Sequence, residues 1–349
     1  MSPDNRVGAE FTAGLSTPRA PRGRRAVGIV GGFVGVGALV ALRVLSPETV
    51  PFDLTDAARD FVTLSISVVV ESLPFVFLGI ALSVVVQLWV PDRIIVRLLP
   101  RNPALRRLAI SVLGVLLPVC ECGNVPLARG LVIRGVSVSD SMTFLLAAPI
   151  VNPVTIITTY QAFGWSDGIL VSRILGGFVI ANLVGWIFSR HPAPWSLLTP
   201  SFQATCAVGS HQATAGHRMR RSVQSFAHET SAMLPALFIG SAVAGFIQVA
   251  VSRDLLVTLG SNPVWSVFVL MLLAFVVAMC SNVDAFFILA LGSTFMPGAI
   301  VAFLVFGPMI DVKMLALMRT TFTTRTLVQL TVLVGLASAA LGLGLNLAL

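Results

Sequence analysis

The chain is short of charge. Asp, Glu, Lys and Arg make up 11% of its 349 residues, against about 25% in a soluble domain. Apolar residues account for 56% and the mean hydropathy is +0.92, which excludes an ordinary water-soluble globular fold. Cysteine is scarce too: four, widely scattered, are too few for a disulfide framework. No GxxxxGK[ST] loop occurs, so the chain carries no motif for ATP hydrolysis. There is no CxxC pair, and His191, His211, His217 and His228 lack a tight metal spacing such as HxxxH. The expectation is a chain that is not an enzyme and carries no bound cofactor. The net charge of +8 does not point to nucleic acid, because the basic residues fall in loops between apolar runs, where topology determinants sit.

What is present is a series of apolar runs, several about 20 residues long, the length that crosses a bilayer. The expectation is an all-α integral membrane protein in the inner or plasma membrane, with nine to eleven membrane segments and lipid as its surroundings. Residues 1–26 carry five arginines with Pro and Gly and read as a disordered cytoplasmic tail. Residues 27–45 read as an extra transmembrane helix. Residues 60–189 form a first permease repeat, 190–229 a flexible cytoplasmic linker holding all four histidines, and 230–349 a second repeat. Trp89, Trp165, Trp186, Trp195 and Trp265 fall near the proposed ends, as an aromatic belt requires.

The two halves look alike. Leu73-Pro74-Phe75-Val76-Phe77-Leu78-Gly79 matches Leu234-Pro235-Ala236-Leu237-Phe238-Ile239-Gly240, Cys122-Gly123-Asn124-Val125 matches Cys280-Ser281-Asn282-Val283, and Phe144 to Asn152 matches Phe303 to Asp311. The offsets are 161, 158 and 159 residues. Three matches in one order make an internal repeat. Segment 46–60 has four acids and one arginine, while 91–107 has five arginines and one acid, so the first is placed outside and the second inside. The linker, also basic, goes inside. The first half then starts outside and the second inside, which is an inverted repeat if each half crosses an odd number of times. Counting the short segment after each CxN motif as a crossing gives eleven in all; re-entrant short segments would give nine and remove this argument.

The stretch Pro118–Arg134, PVCECGNVPLARGLVIR, gathers cysteines, acid, amide, prolines and glycines between apolar runs. Irregular polar backbone survives at membrane depth only when buried in protein or lining a wet cavity, so the stretch is expected to line a substrate path. Cys120 and Cys122 share one site only on a non-helical backbone, since i and i+2 diverge on a helix; Gly123 and Pro126 allow that. Cys280 is the repeat counterpart of Cys122 and could converge on it. Thiolates suit Cu(I), Zn(II) and thiophilic metalloids, although isolated membrane cysteines often serve as small packing residues. Asn124 and Asn282 could touch substrate or cap short helices, and Asn152, between two prolines, joins the substrate-binding candidates. Glu121, Asp284, Asp311 and Glu71 are ionisable at or near bilayer depth. Glu121, Asp284 and Glu71 are candidates for proton coupling, and Asp284 and Asp311 for binding substrate. The alternative for these acids is an internal ion pair, with Arg129 facing Glu121 and Lys313 beside Asp311. Pro74 and Pro235 read as helix kinks.

At CECGNVPLARGL, FLLAAPIVNP and CSNVDAF the sequence resembles the bacterial predicted-permease family that includes the trivalent organoarsenical efflux permease. The resemblance covers about residues 60 to 345 and implies a multi-spanning inner-membrane permease, in a family linked to organoarsenical, copper or zinc movement. Cys120, Cys122, Gly123, Pro126, Asn152, Pro153, Cys280 and Asp284 match family motif positions. Glu121 departs from them, since a small residue such as serine is commoner between the cysteines; an added acid favours a cationic metal over a neutral arsenical. The expected function is a secondary transporter exporting a thiophilic metal ion or organometalloid, with Cys120, Cys122 and Cys280 as metal ligands. The alternatives are a permease for an organic solute, a membrane thiol–disulfide oxidoreductase using Cys120 and Cys122, and a scaffolding membrane subunit. Expected partners are the small substrate and either further copies of the chain or a partner membrane subunit.

Overall fold

The computed structural model describes residues 56–90, 100, 102–116, 120–165, 168–209, 218–250, 264–289 and 295–348. The expected tail 1–26 and helix 27–45 lie outside the described residues, as do His211 and His217. The helices are α1 (Asp56–Leu88), α2 (Pro103–Val112, extended by a 3₁₀ turn at Leu113–Leu116), α3 (Glu121–Ile133), α4 (Val138–Val151), α5 (Pro153–Phe163), α6 (Ile169–Ser189), α7 (Pro200–Gly209), α8 (Arg218–Ala250), α9 (Trp265–Val277), α10 (Asp284–Leu289), α11 (Pro297–Met309), α12 (Val312–Met318) and α13 (Thr324–Ala348). The order α1 to α6 is matched, element for element, by α8 to α13, with α7 between them.

Each half contains one long element broken in its middle, and the break has a local cause. Between α4 and α5 Asn152 leaves the helix and accepts a hydrogen bond from the Val154 amide, with Pro153 as the first residue of α5. Proline has no amide to donate and its fixed φ suits a first helical turn. At the matching break Asp311 caps α12 by accepting from the Met314 amide. Pro74 and Pro235 sit inside α1 and α8 at matching positions.

Among the described residues, six stretches are long and apolar enough to cross a membrane: α1, α4–α5, α6, α8, α11–α12 and α13. The remaining expected segments, the apolar runs at 108–119, 125–136, 264–280 and 283–295, contribute the short helices α2, α3, α9 and α10 among the described residues. Arg134, at the end of α3, hydrogen-bonds the Val86 and Val90 carbonyls at the end of α1. Arg106, at the start of α2, pairs with Asp140 at the start of α4, and Arg107 donates to Ser189 at the end of α6. The start of α2 and the end of α3 share one end of the molecule, while Gly123 at the other end of α3 lies against Gly79 in the middle of α1. With 13 residues, α3 is about 20 Å long against a hydrocarbon core of about 30 Å, so the pair makes a hairpin rather than two crossings. α9 runs along α11, with Ala274 near Gly307 and Phe275 against Phe306, its Val267 lies near Gly342 of α13, and α10 turns back so that Phe287 stacks on Phe303.

Within the unit Asp53–Leu349, α4 and α11 form the centre. Every residue of α4 is buried, and so is nearly all of α11. α1 lies antiparallel to α8, since Trp89 bonds Ser222, Phe77 stacks on Phe226, and Gly245 abuts Ser65. α6 packs on α13 and α4 on α11, so each long element touches its own repeat counterpart. Leu78, Val85, Leu175, Val179, Ile239, Phe246, Val332 and Leu336 face outward, an apolar girdle suited to lipid. Trp89, Trp165, Trp186, Trp195 and Trp265 are exposed.

Part of the expected linker packs against both halves. Leu198 bridges Phe322, and the Thr199 and Thr323 amides donate to the Thr321 and Leu197 carbonyls. Leu197, Leu198, Phe202 and Cys206 are buried, because their apolar side chains cover the end of α3 and the α12–α13 junction.

In lipid there is no hydrophobic drive between apolar helices, so close packing carries their association. Gly79 and its counterpart Gly240 show it. A Cβ at Gly79 would overlap the backbone of Gly123, and one at Gly240 would lie 2.7 Å from Ala316 Cβ and 3.2 Å from Lys313 Cα. Gly79→Ala is expected to cost about 1–3 kcal/mol, the usual range for overpacking. A lower thermal midpoint of the detergent-solubilised protein, followed by size-exclusion chromatography after heating, is the readout.

Candidate functional site

The tips of the two hairpins meet. The first tip ends at Cys120, whose extended backbone (φ −70°, ψ 172°) starts α3 without a side-chain cap. The second begins at Ala278 (φ 49°, ψ 44°), the one non-glycine residue with positive φ among the described residues. That left-handed turn, which costs an alanine about 1–2 kcal/mol, redirects the chain out of α9. It lets Cys280 and Ser281 face Cys120 and Glu121.

The Sγ atoms of Cys120 and Cys280 and a carboxylate oxygen of Glu121 lie within 4.8 Å of one another, all buried. Glu121 Oε2 accepts from Ser281 Oγ at 3.2 Å, from the Ser281 amide at 3.4 Å and from Cys280 Sγ at 3.8 Å. Glu121 Oε1 accepts from Lys313 Nζ at 3.3 Å. The Cys120 thiol also neighbours that of Cys122, but Cys122 donates to Ser72 Oγ on α1 at 3.7 Å and lies outside the set of three. All four cysteines are free thiols.

A chain of polar groups continues from this point. Thr155 on α5 reaches Ser281 Oγ and Asn282 Oδ1, each at 3.5 Å. Thr159 donates to the Thr155 carbonyl at 2.7 Å and accepts from Arg173 Nη1 at 2.6 Å. Arg173 grips Asp284 in a fork, Nη1 to Oδ1 at 3.1 Å and Nη2 to Oδ2 at 2.6 Å. The sequence Lys313–Glu121–Ser281–Thr155–Thr159–Arg173–Asp284 thus links the two halves through buried polar contacts.

The other candidates are placed as follows. Asn124 lies inside α3 rather than at its cap, buried, with neither amide atom hydrogen-bonded. Asn152 and Asp311 cap α5 and α12, and Asp311 Oδ2 is buried without a partner. Gly123 lies against Gly79, and Pro126 falls inside α3. Glu71 is exposed on α1 and forms no part of the set of three. Arg129 does not face Glu121: it bonds Glu229 Oε2 at 2.8 Å, the Thr320 carbonyl at 3.0 Å and Thr321 Oγ1 at 3.1 Å. The partner of Glu121 is Lys313. The reason is reach: eight residues of helix separate Glu121 from Arg129, about 12 Å along the axis.

Arg173, Thr155, Ser281 and Ser72 were not singled out by the motifs, and Lys313 was noted only as a neighbour of Asp311. One signal was available, since Lys313 is the only lysine of the chain. Two sulfur donors and a carboxylate oxygen make a donor set of the kind that takes soft or borderline cations.

A family model described as a predicted permease matches residues 57–347. UPF0718 protein YcgR of Bacillus subtilis is 36% identical over 264 residues, covering 74% of this chain and 88% of that protein. A Streptococcus mutans protein named "Putative two-component membrane permease complex subunit" is 32% identical over 271 residues, 76% of this chain and 87% of its own. UPF0718 protein YraQ of Escherichia coli is 27% identical over 143 residues, 40% of this chain and 38% of its own. No solved structure matches the chain.

Proposed function

We propose that this chain, which belongs to the predicted permease family, is a secondary transporter of the plasma membrane that exports a thiophilic metal ion or organometalloid. The reading rests on one arrangement. Cys120, Glu121 and Cys280 come from the tips of two opposed hairpins, one in each half, and their ligand atoms lie within 4.8 Å. Sulfur ligands select soft cargo, and a site between repeats near mid-depth is how many transporters are built.

The halves are read as an inverted repeat. Three long crossings per half, with the hairpins folded back, are an odd number, so the second half enters from the opposite side. Contact of α1 with α8, α4 with α11 and α6 with α13 supports a two-fold axis between them. Alternating access then rocks one half on the other about the hairpin tips. Cys122, Asn124 and Asn282 border the path, and Glu121 is the acid best placed to couple cargo to a second ion.

The test measures cell-associated arsenic, copper and zinc by elemental mass spectrometry in cells stripped of their own exporters. Native protein is expected to lower one element, and Cys120→Ser/Cys280→Ser to leave it at the level of cells without the protein. Cys206→Ser, altered on α7 away from the three ligands, should behave as native. Export that survives the double substitution would sink the thiol reading and move the search to organic solutes.

A second reading concerns assembly. The Streptococcus mutans relative is named as a complex subunit, and Glu71 is a carboxylate exposed on a membrane helix. A partner membrane subunit covering that face of α1 would account for it. Transport by the purified chain alone in proteoliposomes excludes an obligatory partner.

A further inference from the structure

Lys313 is the only lysine in the chain, and it is buried to 1% exposure beside the break between α11 and α12. Burying an ammonium is costly unless it is paired and hydrogen-bonded. Its pairing here is loose. Nζ meets Glu121 Oε1 at 3.3 Å, whereas a charge-assisted N–H···O bond is normally about 2.7–2.9 Å. A second acceptor stands two residues away on the same helix: Asp311 holds the Met314 amide through Oδ1, while its buried Oδ2 has no partner. The backbone beneath Lys313 is pinned, since Gly240 of α8 lies against its Cα. Any movement therefore belongs to the four-carbon side chain.

Glu121 is divided between two tasks. Oε2 faces Ser281 and Cys280, on the side of the thiols, and Oε1 is held by Lys313. A cation entering among Cys120, Glu121 and Cys280 must share that carboxylate with the ammonium. Resting on the transport reading above, we infer that Lys313 is a resident counter-cation: it neutralises Glu121 when cargo is absent and moves to Asp311 when a cationic cargo takes Glu121. The carboxylate then stays neutralised in both states. A corollary is that the cargo which exploits Glu121 is a metal cation. A neutral trivalent arsenical would bind the thiols without displacing the lysine.

The test uses purified full-length protein in detergent with two probes, Cd²⁺ followed by its thiolate charge-transfer absorption and phenylarsine oxide followed by thiol titration. Lys313→Met, which removes the competitor, is expected to tighten Cd²⁺ by about tenfold, inside the usual range of coupling between sites. Asp311→Asn keeps the helix cap but removes the receiving charge, and is expected to weaken Cd²⁺ by a similar factor. Lys313→Met/Asp311→Asn should match Lys313→Met, because no ammonium remains to be received. Phenylarsine oxide should bind all four proteins alike. A purely structural lysine would move both probes in one direction in every variant, and that result overturns the proposal. So does unchanged Cd²⁺ affinity in Lys313→Met. Should Lys313→Met not fold, Lys313→Gln and Asp311→Asn carry the same opposed signs. If native protein binds neither probe, the thiol transport reading has failed, which is a different outcome from binding that ignores Lys313.

Discussion

Asp284→Ala is expected to destabilise the protein by about 3–5 kcal/mol, because it leaves the Arg173 guanidinium buried and unpaired. Both carboxylate oxygens of Asp284 are taken up by the Arg173 fork, at 3.1 and 2.6 Å, and the two side chains are 4% and 1% exposed. The pair fastens α10 to α6, and through Thr159 to α5, so its loss loosens the second hairpin where it meets the first half. Replacing both members with apolar residues, Arg173→Met/Asp284→Leu, removes the stranded charge along with its partner. That double variant is expected to regain most of the lost thermal stability in a detergent melting experiment, since buried ion pairs are often replaceable by well-packed apolar groups. Export by the refolded double variant would mark Asp284 as a structural residue; a stable protein without transport would return it to the coupling machinery.

Much of the architecture was legible because apolar length is a local property. The ten apolar runs between residues 60 and 349 reappear as helices, and the repeat offsets near 160 residues correspond to the matching element orders. The direction of the short runs was not legible. A hydropathy window cannot tell a helix that crosses from one that returns, and the contact that decides it, Gly123 at the start of α3 against Gly79 in the middle of α1, joins residues more than 40 positions apart. The same limit applies to the site. The mixture in Pro118–Arg134 marks a break because lipid cannot satisfy it, but repeat alignment pairs Cys280 with Cys122, whereas the folded tips set Cys280 beside Cys120 and Glu121. A two-residue difference around a turn decides which thiol faces the partner hairpin. The packing of the linker is hidden for a related reason: its polar composition masks Leu197, Leu198, Phe202 and Cys206, whose burial depends on a surface supplied by α3 and the start of α13.

That surface has Arg129 at its centre, and Arg129→Ala is expected to be among the most damaging single changes in the chain. The guanidinium joins four elements. It pairs with Glu229 on α8, holds Thr320 and Thr321 after α12, and lies 4.2 Å from the centre of the Phe202 ring on α7. Truncation would strand Glu229, 2% exposed, which again costs about 3–5 kcal/mol, and would add the lost cation–π contact, about 2 kcal/mol when desolvated. Arg129→Lys is expected to recover little of this. A lysine keeps the charge but has a single ammonium, which cannot reach a carboxylate, a carbonyl and a hydroxyl in three directions while presenting a flat face to Phe202. The two variants should therefore fall close together in folded yield and thermal midpoint, both well below native. Recovery of native stability by lysine would show that charge alone holds this corner, and that the linker helix contributes little to joining the halves. The expected failure of lysine instead makes geometry the requirement: α7 is then the clamp that keeps the α3 hairpin, and with it Cys120 and Glu121, in register with the second half.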